Sequence, residues 1–340
     1  MLIHILLLVV GLVFLVAGGE MLVKGASSMA RSLGISNLAV GMTVVAFGTS
    51  APELAVNIGA ALGDTGGLAF GNIFGSTMAN IGLVVGLVAI IQPIPIKSVL
   101  IRRELPMMLL ALTAASVMAF DVQLGGTKNA FLRPDGLILL LFFVVFLYYS
   151  AGDLRRQRAL SKVPVGDASL PDENLVKLAQ EGTEESGSLL RNSLLTGFGL
   201  IVLIGGAQLT VEAAVNLARA LQVNEELIGL TMIAVGTSLP ELVAAISSVR
   251  HGKADMAVGS VVGSNIFNVL LVAGVTSTIR PMPIPAYGQV DLVATGVLAL
   301  IFTLAAYTNK HRILRSEGVL LMVIYLAYMT WRTLGLTAGT

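Results

Sequence analysis

The sequence contains no cysteine, only 3 histidines and only 12% charged residues in a chain of 340. Without cysteine there is no disulfide framework, no thiolate metal site and no cysteine nucleophile. A water-soluble domain carries roughly 25% charged residues, so the low charge argues against an ordinary soluble surface. The formal net charge is +1, and the basic residues form short clusters between apolar blocks. That pattern argues against a nucleic-acid partner.

Apolar residues make up 55% of the chain, and they recur in blocks of about 20 residues, the length at which a helix crosses a bilayer. The block at the start of the chain has no basic residues before it and no small-residue cleavage site after it, so it is taken as a helix and not as a signal sequence. The sequence therefore predicts an all-α integral membrane protein whose partner is the lipid bilayer, with no obligate protein partner. The ten predicted spans are 2–22, 37–62, 68–91, 104–120, 135–151, 192–214, 227–249, 255–278, 289–307 and 317–335.

The lysines and arginines between these spans divide sixteen to five between the two sides of the membrane. Basic residues accumulate on the cytoplasmic side. We therefore expect a cell (plasma or inner) membrane protein with both termini outside the cytoplasm. The longest polar segment, 152–191, then lies inside and separates a first five-helix half, 1–151, from a second, 192–340.

An internal repeat relates the two halves. Residues 41–54 align without gaps with 229–242 at nine identical positions of fourteen, and 71–80 align with 259–268 at the same offset of 188. Each half contains five predicted spans, an odd number, so the second half crosses the membrane in the opposite sense. An inverted repeat of this kind places a substrate site near the bilayer midplane, between the halves.

The repeated motif, Gly-Thr-Ser-x-Pro-Glu at 48–53 and 236–241, carries the chemistry. Pro52 and Pro240 lack an amide hydrogen, so each is expected to interrupt its helix and to free carbonyl oxygens. Glu53 and Glu241 then lie near the middle of their spans, where a charge costs roughly 2.5–3.5 kcal/mol on insertion scales. Two carboxylates brought together repel, so the arrangement needs bound cations or protons.

Other oxygen groups surround this motif. Thr49 and Ser50 precede Glu53 by about one helical turn, and the second copy repeats them as Thr237 and Ser238. The pairs Ser76 and Asn80, and Ser264 and Asn268, are each one turn apart and so share a helix face. Carboxylates, carbonyls, hydroxyls and amides are the ligands that Ca²⁺ takes. By contrast Glu20, Asp64, Glu104 and Asp255 lie near span ends, where a solvated position is expected.

These paired motifs, each followed by Gly-x-x-x-Gly-Ser-x-x-x-Asn, resemble the alpha repeats of the sodium/calcium exchanger family. The resemblance covers essentially the whole chain and implies Na⁺/Ca²⁺ antiport with no cofactor. It implies Ca²⁺ held between Glu53 and Glu241 with the carbonyls of Thr49 and Thr237. The Na⁺ ligands that it implies are Ser50, Ser238, Ser76, Ser264, Thr237 and the carbonyls of Ala46 and Ala234, with Asn80 near the centre. Where some members have an aspartate this sequence has Asn268, which weakens any case for potassium co-transport.

Alternative functions stay open at this stage. Two close carboxylates could equally exchange protons for a divalent ion, which gives H⁺/Ca²⁺ or other cation exchange. An ion channel is disfavoured, because channels usually build their filters from rings of groups around a pore. An intramembrane enzyme is disfavoured too, since the sequence offers no nucleophile–base arrangement and no nucleotide-binding loop.

Overall fold

The computed structural model describes residues 2–63, 66–125, 128–160, 188–221, 234–308 and 311–337. The chain is almost entirely helical. Its main helices are α1 (Leu2–Leu33), α2 (Asn37–Leu62), α3 (Gly66–Ile91), α4 (Leu105–Ala119), α5 (Arg133–Leu160), α6 (Leu189–Ala220), α7 (Leu239–Arg250), α8 (Ala254–Ile279), α9 (Gly288–Tyr307) and α10 (Arg315–Thr337). Four two-residue strands are β1 (Ile94–Pro95), β2 (Ala130–Phe131), β3 (Met282–Pro283) and β4 (Arg312–Ile313).

A helix lies at each predicted span, although the part of 227–249 before residue 234 lies outside the described residues. Seven of the helices in the described ranges are long and apolar enough to cross a membrane. The two helices beside the predicted linker extend into it, because α5 continues to Leu160 and α6 already begins at Leu189. Arginine and glutamine have good helix propensity, so the helix outlasts the apolar block that predicted it.

The expected interruption of α2 occurs at a single residue. Ser50 leaves the helical conformation with φ −87° and ψ 0°, and the second arm, Ala51–Leu62, begins directly after it. Pro52 occupies the first turn of that arm, where a missing N–H is tolerated. In the second half Ser238 has φ −90° and ψ 2° and separates the short turn Ala234–Thr237 from α7. The interruption predicted from proline is confirmed in both copies.

Helices α1 and α6 pack against each other along glycines spaced seven residues apart. A Cβ on Gly18 would lie 2.3 Å from the Leu203 nitrogen, and a Cβ on Gly199 would lie 2.4 Å from the Leu22 nitrogen. The backbones therefore touch, and only glycine fits at these crossings. A seven-residue period keeps such a seam facing the partner helix when the two helices coil around each other with a left-handed twist. The outward side of α1 exposes apolar side chains, as expected of a face toward lipid.

The strands connect the two halves reciprocally. β1, which follows α3, pairs antiparallel with β4, which precedes α10. β3, which follows α8, pairs in the same way with β2, which precedes α5. The larger hydrophobic core lies between these connections and includes residues from both halves, with Phe70, Phe74 and Phe131 packed together.

Two local irregularities mark the helices next to the α2 and α7 interruptions. α3 contains a π-helical turn at Asn80–Val85, and α8 contains one at Phe267–Val272. π-helical turns inside α-helices are frequent at functional sites. α8 also packs closely against the part of α2 before its interruption. Gly259 and Gly263 of α8 lie against the backbones of Leu38 and Met42. The interrupted helix of the first half thus packs directly against α8 of the second half.

Candidate functional site

Glu53 and Glu241 occupy the first turn of the helical segment that follows each interruption. Each residue is only 1% exposed. The two carboxylates lie close enough to repel each other electrostatically. A helix N-terminus favours negative charge, so the interruptions supply part of the stabilisation that these carboxylates need. Among the described residues, none of the four carboxylate oxygens has a hydrogen-bond partner.

Hydroxyl groups from opposite halves meet in two equivalent pairs. The Thr49 and Ser264 hydroxyl oxygens are 3.4 Å apart. The Ser76 and Thr237 hydroxyl oxygens are 3.2 Å apart. The offset of 188 residues converts each pair into the other, so the first half contributes a threonine to one pair and a serine to the other. Each pair is built by both halves.

A backbone carbonyl lies beside the first pair. The Thr49 hydroxyl donates to the Ala46 carbonyl at 3.3 Å, and the Ser264 hydroxyl approaches the same oxygen at 3.4 Å. The Glu241 carboxylate also lies near these two hydroxyls. Ala234, the equivalent of Ala46, begins the turn that ends at Thr237. Carbonyl, hydroxyl and carboxylate oxygens therefore converge on one side of the interruption.

The serines at the interruptions and the asparagines at the π-helical turns complete the site. The hydroxyls of Ser50 and Ser238 are buried and have no hydrogen-bond partner in the part of the chain that the structure describes. Asn80 donates its amide to the Asn265 side-chain oxygen at 3.1 Å, which leaves the Asn80 oxygen unpartnered. Asn268 is completely buried, and neither atom of its amide has a partner.

Unsatisfied buried atoms of this kind are rare in folded proteins, and each calls for an explanation such as a bound ion. Of the fourteen such side-chain atoms in the described ranges, eleven belong to residues of this cluster or one turn from it. They are predominantly oxygens, with two carboxylates and no imidazole or thiolate. The described residues include no group of three or more His, Cys, Asp and Glu side chains that could hold a metal ion. This ligand set fits Na⁺ and Ca²⁺, which prefer oxygen.

Sequence reasoning missed two buried asparagines near this cluster and misplaced one acid. Asn57 lies one turn after Glu53 and donates to the Glu53 carbonyl at 2.6 Å. Asn265 accepts the hydrogen bond from Asn80. Both asparagines lie within predicted apolar spans, and a polar amide in such a span was the sequence signal that could have identified them. Glu104 was expected to be solvated, but it is 0% exposed, and the neighbouring Arg103 guanidinium donates to its carboxylate.

Comparison with known proteins identifies relatives along the full chain. The family described as sodium/calcium exchanger protein matches residues 3–152 and 192–334. The inner membrane protein YrbG of Escherichia coli K12 is 37% identical over 336 residues, which cover 97% of this chain and 98% of YrbG. The sodium/calcium exchanger MaX1 of Methanosarcina acetivorans is 32% identical, with 96% of this chain and 97% of MaX1 covered.

Solved structures give the same result for the fold. A structure of the sodium-calcium exchanger NCX_Mj, soaked with Na⁺ and without Ca²⁺, superimposes with a TM-score of 0.79 at 30% sequence identity. The match covers 97% of this chain and 99% of that chain.

Proposed function

Because the chain belongs to the sodium/calcium exchanger family, whose members are membrane cation antiporters, we propose that it uses the Na⁺ gradient to extrude Ca²⁺. The observation that carries this proposal is the pair of buried carboxylates, Glu53 and Glu241, that have no hydrogen-bond partner. Two negative charges with no basic side chain hydrogen-bonded to them match one Ca²⁺ or two Na⁺. Surrounding neutral oxygens supply the additional ligands that either ion requires.

Each residue of the cluster has a role in this proposal. Ca²⁺ lies between Glu53 and Glu241 and also contacts the carbonyls of Thr49 and Thr237. Na⁺ ions use the neutral oxygens that Ca²⁺ leaves, which are Ser50, Ser238, Ser76, Ser264, the Thr237 hydroxyl, the carbonyls of Ala46 and Ala234, and the amides of Asn80 and Asn268. The two hydroxyl pairs join both halves, so a cation bound there is shared by the two repeats.

We infer that the halves, 1–151 and 192–340, are inverted repeats of five spans each, joined by the segment 152–191. The reciprocal pairing of β1 with β4 and of β3 with β2 supports this relation. The excess of basic residues on one set of loops supports termini outside and 152–191 in the cytoplasm. A site between two inverted repeats is opened to each side in turn when one group of helices moves against the other.

Helices α1 and α6 are the moving part in this proposal. Their backbones touch at Gly18, Gly25, Gly199 and Gly206, so the two helices move together as one unit. Small residues on both helices permit this pair to slide against the other eight helices. These two helices then cover the α2 and α7 interruptions from one side or the other, which gives alternating access.

Sodium coupling is tested by reconstituting the full chain in liposomes. Radioactive calcium uptake is measured against outward gradients of Na⁺, K⁺ and H⁺ in separate experiments at equal ionic strength. Antiport with Na⁺ predicts uptake with the Na⁺ gradient alone. Uptake driven by H⁺ without Na⁺ would identify H⁺/Ca²⁺ exchange through the same carboxylates. Calcium flux that needs no counter-gradient and reaches single-channel rates would identify a channel.

A further inference from the structure

Two amide side chains lie one helical turn from the proposed ion site, toward the connection between α2 and α3. Asn57 follows Glu53 by four residues and is 0% exposed. Its nitrogen donates to the Glu53 carbonyl at 2.6 Å, and its oxygen is buried without a partner. Asn72 precedes Ser76 by four residues, and its amide nitrogen is also buried without a partner. Neither unsatisfied atom has a role in the site described above.

The antiparallel packing of α2 and α3 places these amides at the same level. α2 ends at Leu62 and α3 begins at Gly66. Glu53 and Ser76 are nearly equidistant from these ends, and so are Asn57 and Asn72. At 1.5 Å per residue, the amides lie about 6 Å beyond the level of Glu53 and Ser76 along the helix axes.

The other half lacks such a pair. The repeat-related positions are Ala245 and Ser260, one turn from Glu241 and Ser264. Ala245 has no polar side-chain atom. The Ser260 hydroxyl is satisfied, because it donates to the Ala257 carbonyl at 2.9 Å. The second half therefore has no counterpart of the Asn57 and Asn72 amides at the repeat-related positions.

We propose that Asn57 and Asn72 form an additional, neutral cation subsite between the central site and the outer solution, where a partly hydrated transported cation stops on its way. The proposal rests on the antiport function and on its orientation. The Asn57 oxygen is a hard ligand of the kind that Ca²⁺ and Na⁺ accept. Rotation of the Asn72 amide about its terminal torsion, which is broad and roughly two-fold, presents its oxygen instead of its nitrogen.

A subsite without charge is suited to holding a transported cation for a short time. It compensates a cation for part of its lost hydration, and without a carboxylate it holds the ion weakly enough to release it. The attraction of Glu53 and Glu241 then draws the cation inward. On the cytoplasmic side the ion meets no equivalent amides, so the two routes to the central site differ.

The test compares calcium affinity at the two faces of the membrane. Calcium flux is measured in right-side-out and inside-out membrane vesicles, and the half-saturating Ca²⁺ concentration is determined at each face. For Asn57→Ser and for Asn72→Ala we expect this concentration to rise at the outer face, by up to about tenfold for one lost ligand. At the cytoplasmic face it stays at the wild-type value. Asn57→Asp keeps an oxygen in place and adds charge, so it should lower the outer value.

The matched control is Ser260→Ala, the repeat-related change to Asn72→Ala, which should alter neither face. If Asn57 serves only to hold the Glu53 backbone, its variants change both faces equally, because the central site is the same from either side. An equal change at both faces, or no change at either, overturns the subsite. The measurement needs calcium flux but not sodium dependence, so a failure of sodium coupling is separately visible.

Discussion

The hydroxyl oxygens of Thr49 and Ser264 lie 3.4 Å apart, although 215 residues separate them in the chain. The same arrangement recurs between Ser76 and Thr237 at 3.2 Å. Each half thus contributes one threonine and one serine hydroxyl to the oxygen cluster. In the proposed antiport, a movement of one group of helices at this interface changes the access of the site to solvent.

The serine hydroxyls at the interruptions bind Na⁺ in this account, so their removal separates function from stability. Ser50→Ala and Ser238→Ala each delete a buried hydroxyl that has no partner. Removing an unsatisfied buried group costs no hydrogen bond, so the melting temperature should stay constant or rise. The half-saturating Na⁺ concentration should rise by about tenfold for the lost ligand. Sodium titration of calcium flux and a thermal melt measure both effects.

Ser277→Ala is the control for these variants, because the Ser277 hydroxyl is buried on α8 and donates to the Ala273 carbonyl at 2.6 Å. It should leave the sodium dependence unchanged. A wild-type sodium titration for both interruption variants would remove these hydroxyls from the site.

Asn268 supplies a neutral ligand where an acid would add a third charge. Both atoms of its amide are buried without a partner, so Asn268→Ala loses ligand oxygen without exposing a new unsatisfied group. We expect calcium exchange to fall about tenfold or less, well short of the loss from removing a carboxylate. Initial rates of sodium-driven uptake in liposomes measure this. A complete loss would show that the charge of the carboxylates is not what dominates binding.

Exchange should be electrogenic. With two ionised glutamates the empty site carries a charge of about −2, which one Ca²⁺ cancels, and the neutral oxygens around it provide ligands for more than two Na⁺. The sodium-loaded site then carries net positive charge, and each charge moved across 100 mV is worth roughly 2.3 kcal/mol. Liposomes clamped with K⁺ and valinomycin should show faster sodium entry and calcium exit when the sodium-receiving side is negative. A rate and an end-point indifferent to voltage would mean electroneutral exchange.

The contact between α1 and α6 should tolerate no side chain. Gly18→Ala places a Cβ 2.3 Å from the Leu203 nitrogen, so the helices must separate, at a cost of about 1–3 kcal/mol for overpacking. The melting temperature should fall and transport should slow. Gly205→Ala is the control, because a Cβ there meets no atom within 4 Å in the described part of the chain. Equal melting temperatures for the two variants would contradict the proposed seam.

The sequence predicted the helices and the central residues because both depend on local features. Apolar length located the spans, and the missing N–H of Pro52 and Pro240 located the interruptions to within two residues. The repeat offset paired the equivalent positions in the two halves. None of these features depends on how the helices pack against one another.

Contacts between distant helices could not be predicted in this way. That Thr49 meets Ser264 depends on the close approach of α8 to α2, which Gly259 and Gly263 permit. Glu104 was expected in solvent because it lies near a span end, yet it is buried in the fold, where Arg103 donates a hydrogen bond to it. Hydropathy also did not predict that α5 extends to Leu160, because the last part of this helix is polar and forms through helix propensity.

Calcium transport by Glu53→Gln and Glu241→Gln is the most direct test of the paired-carboxylate site. Each change keeps the shape of the side chain and removes half of the charge that balances Ca²⁺. Each variant should fold, since removing an uncompensated carboxylate from the membrane relieves a cost of roughly 2.5–3.5 kcal/mol. Glu212→Gln, at an exposed position on α6, serves as the control and should transport normally. The account predicts no sodium-driven calcium uptake by either site variant at normal yield and melting temperature, whereas near-normal uptake by either one would contradict it.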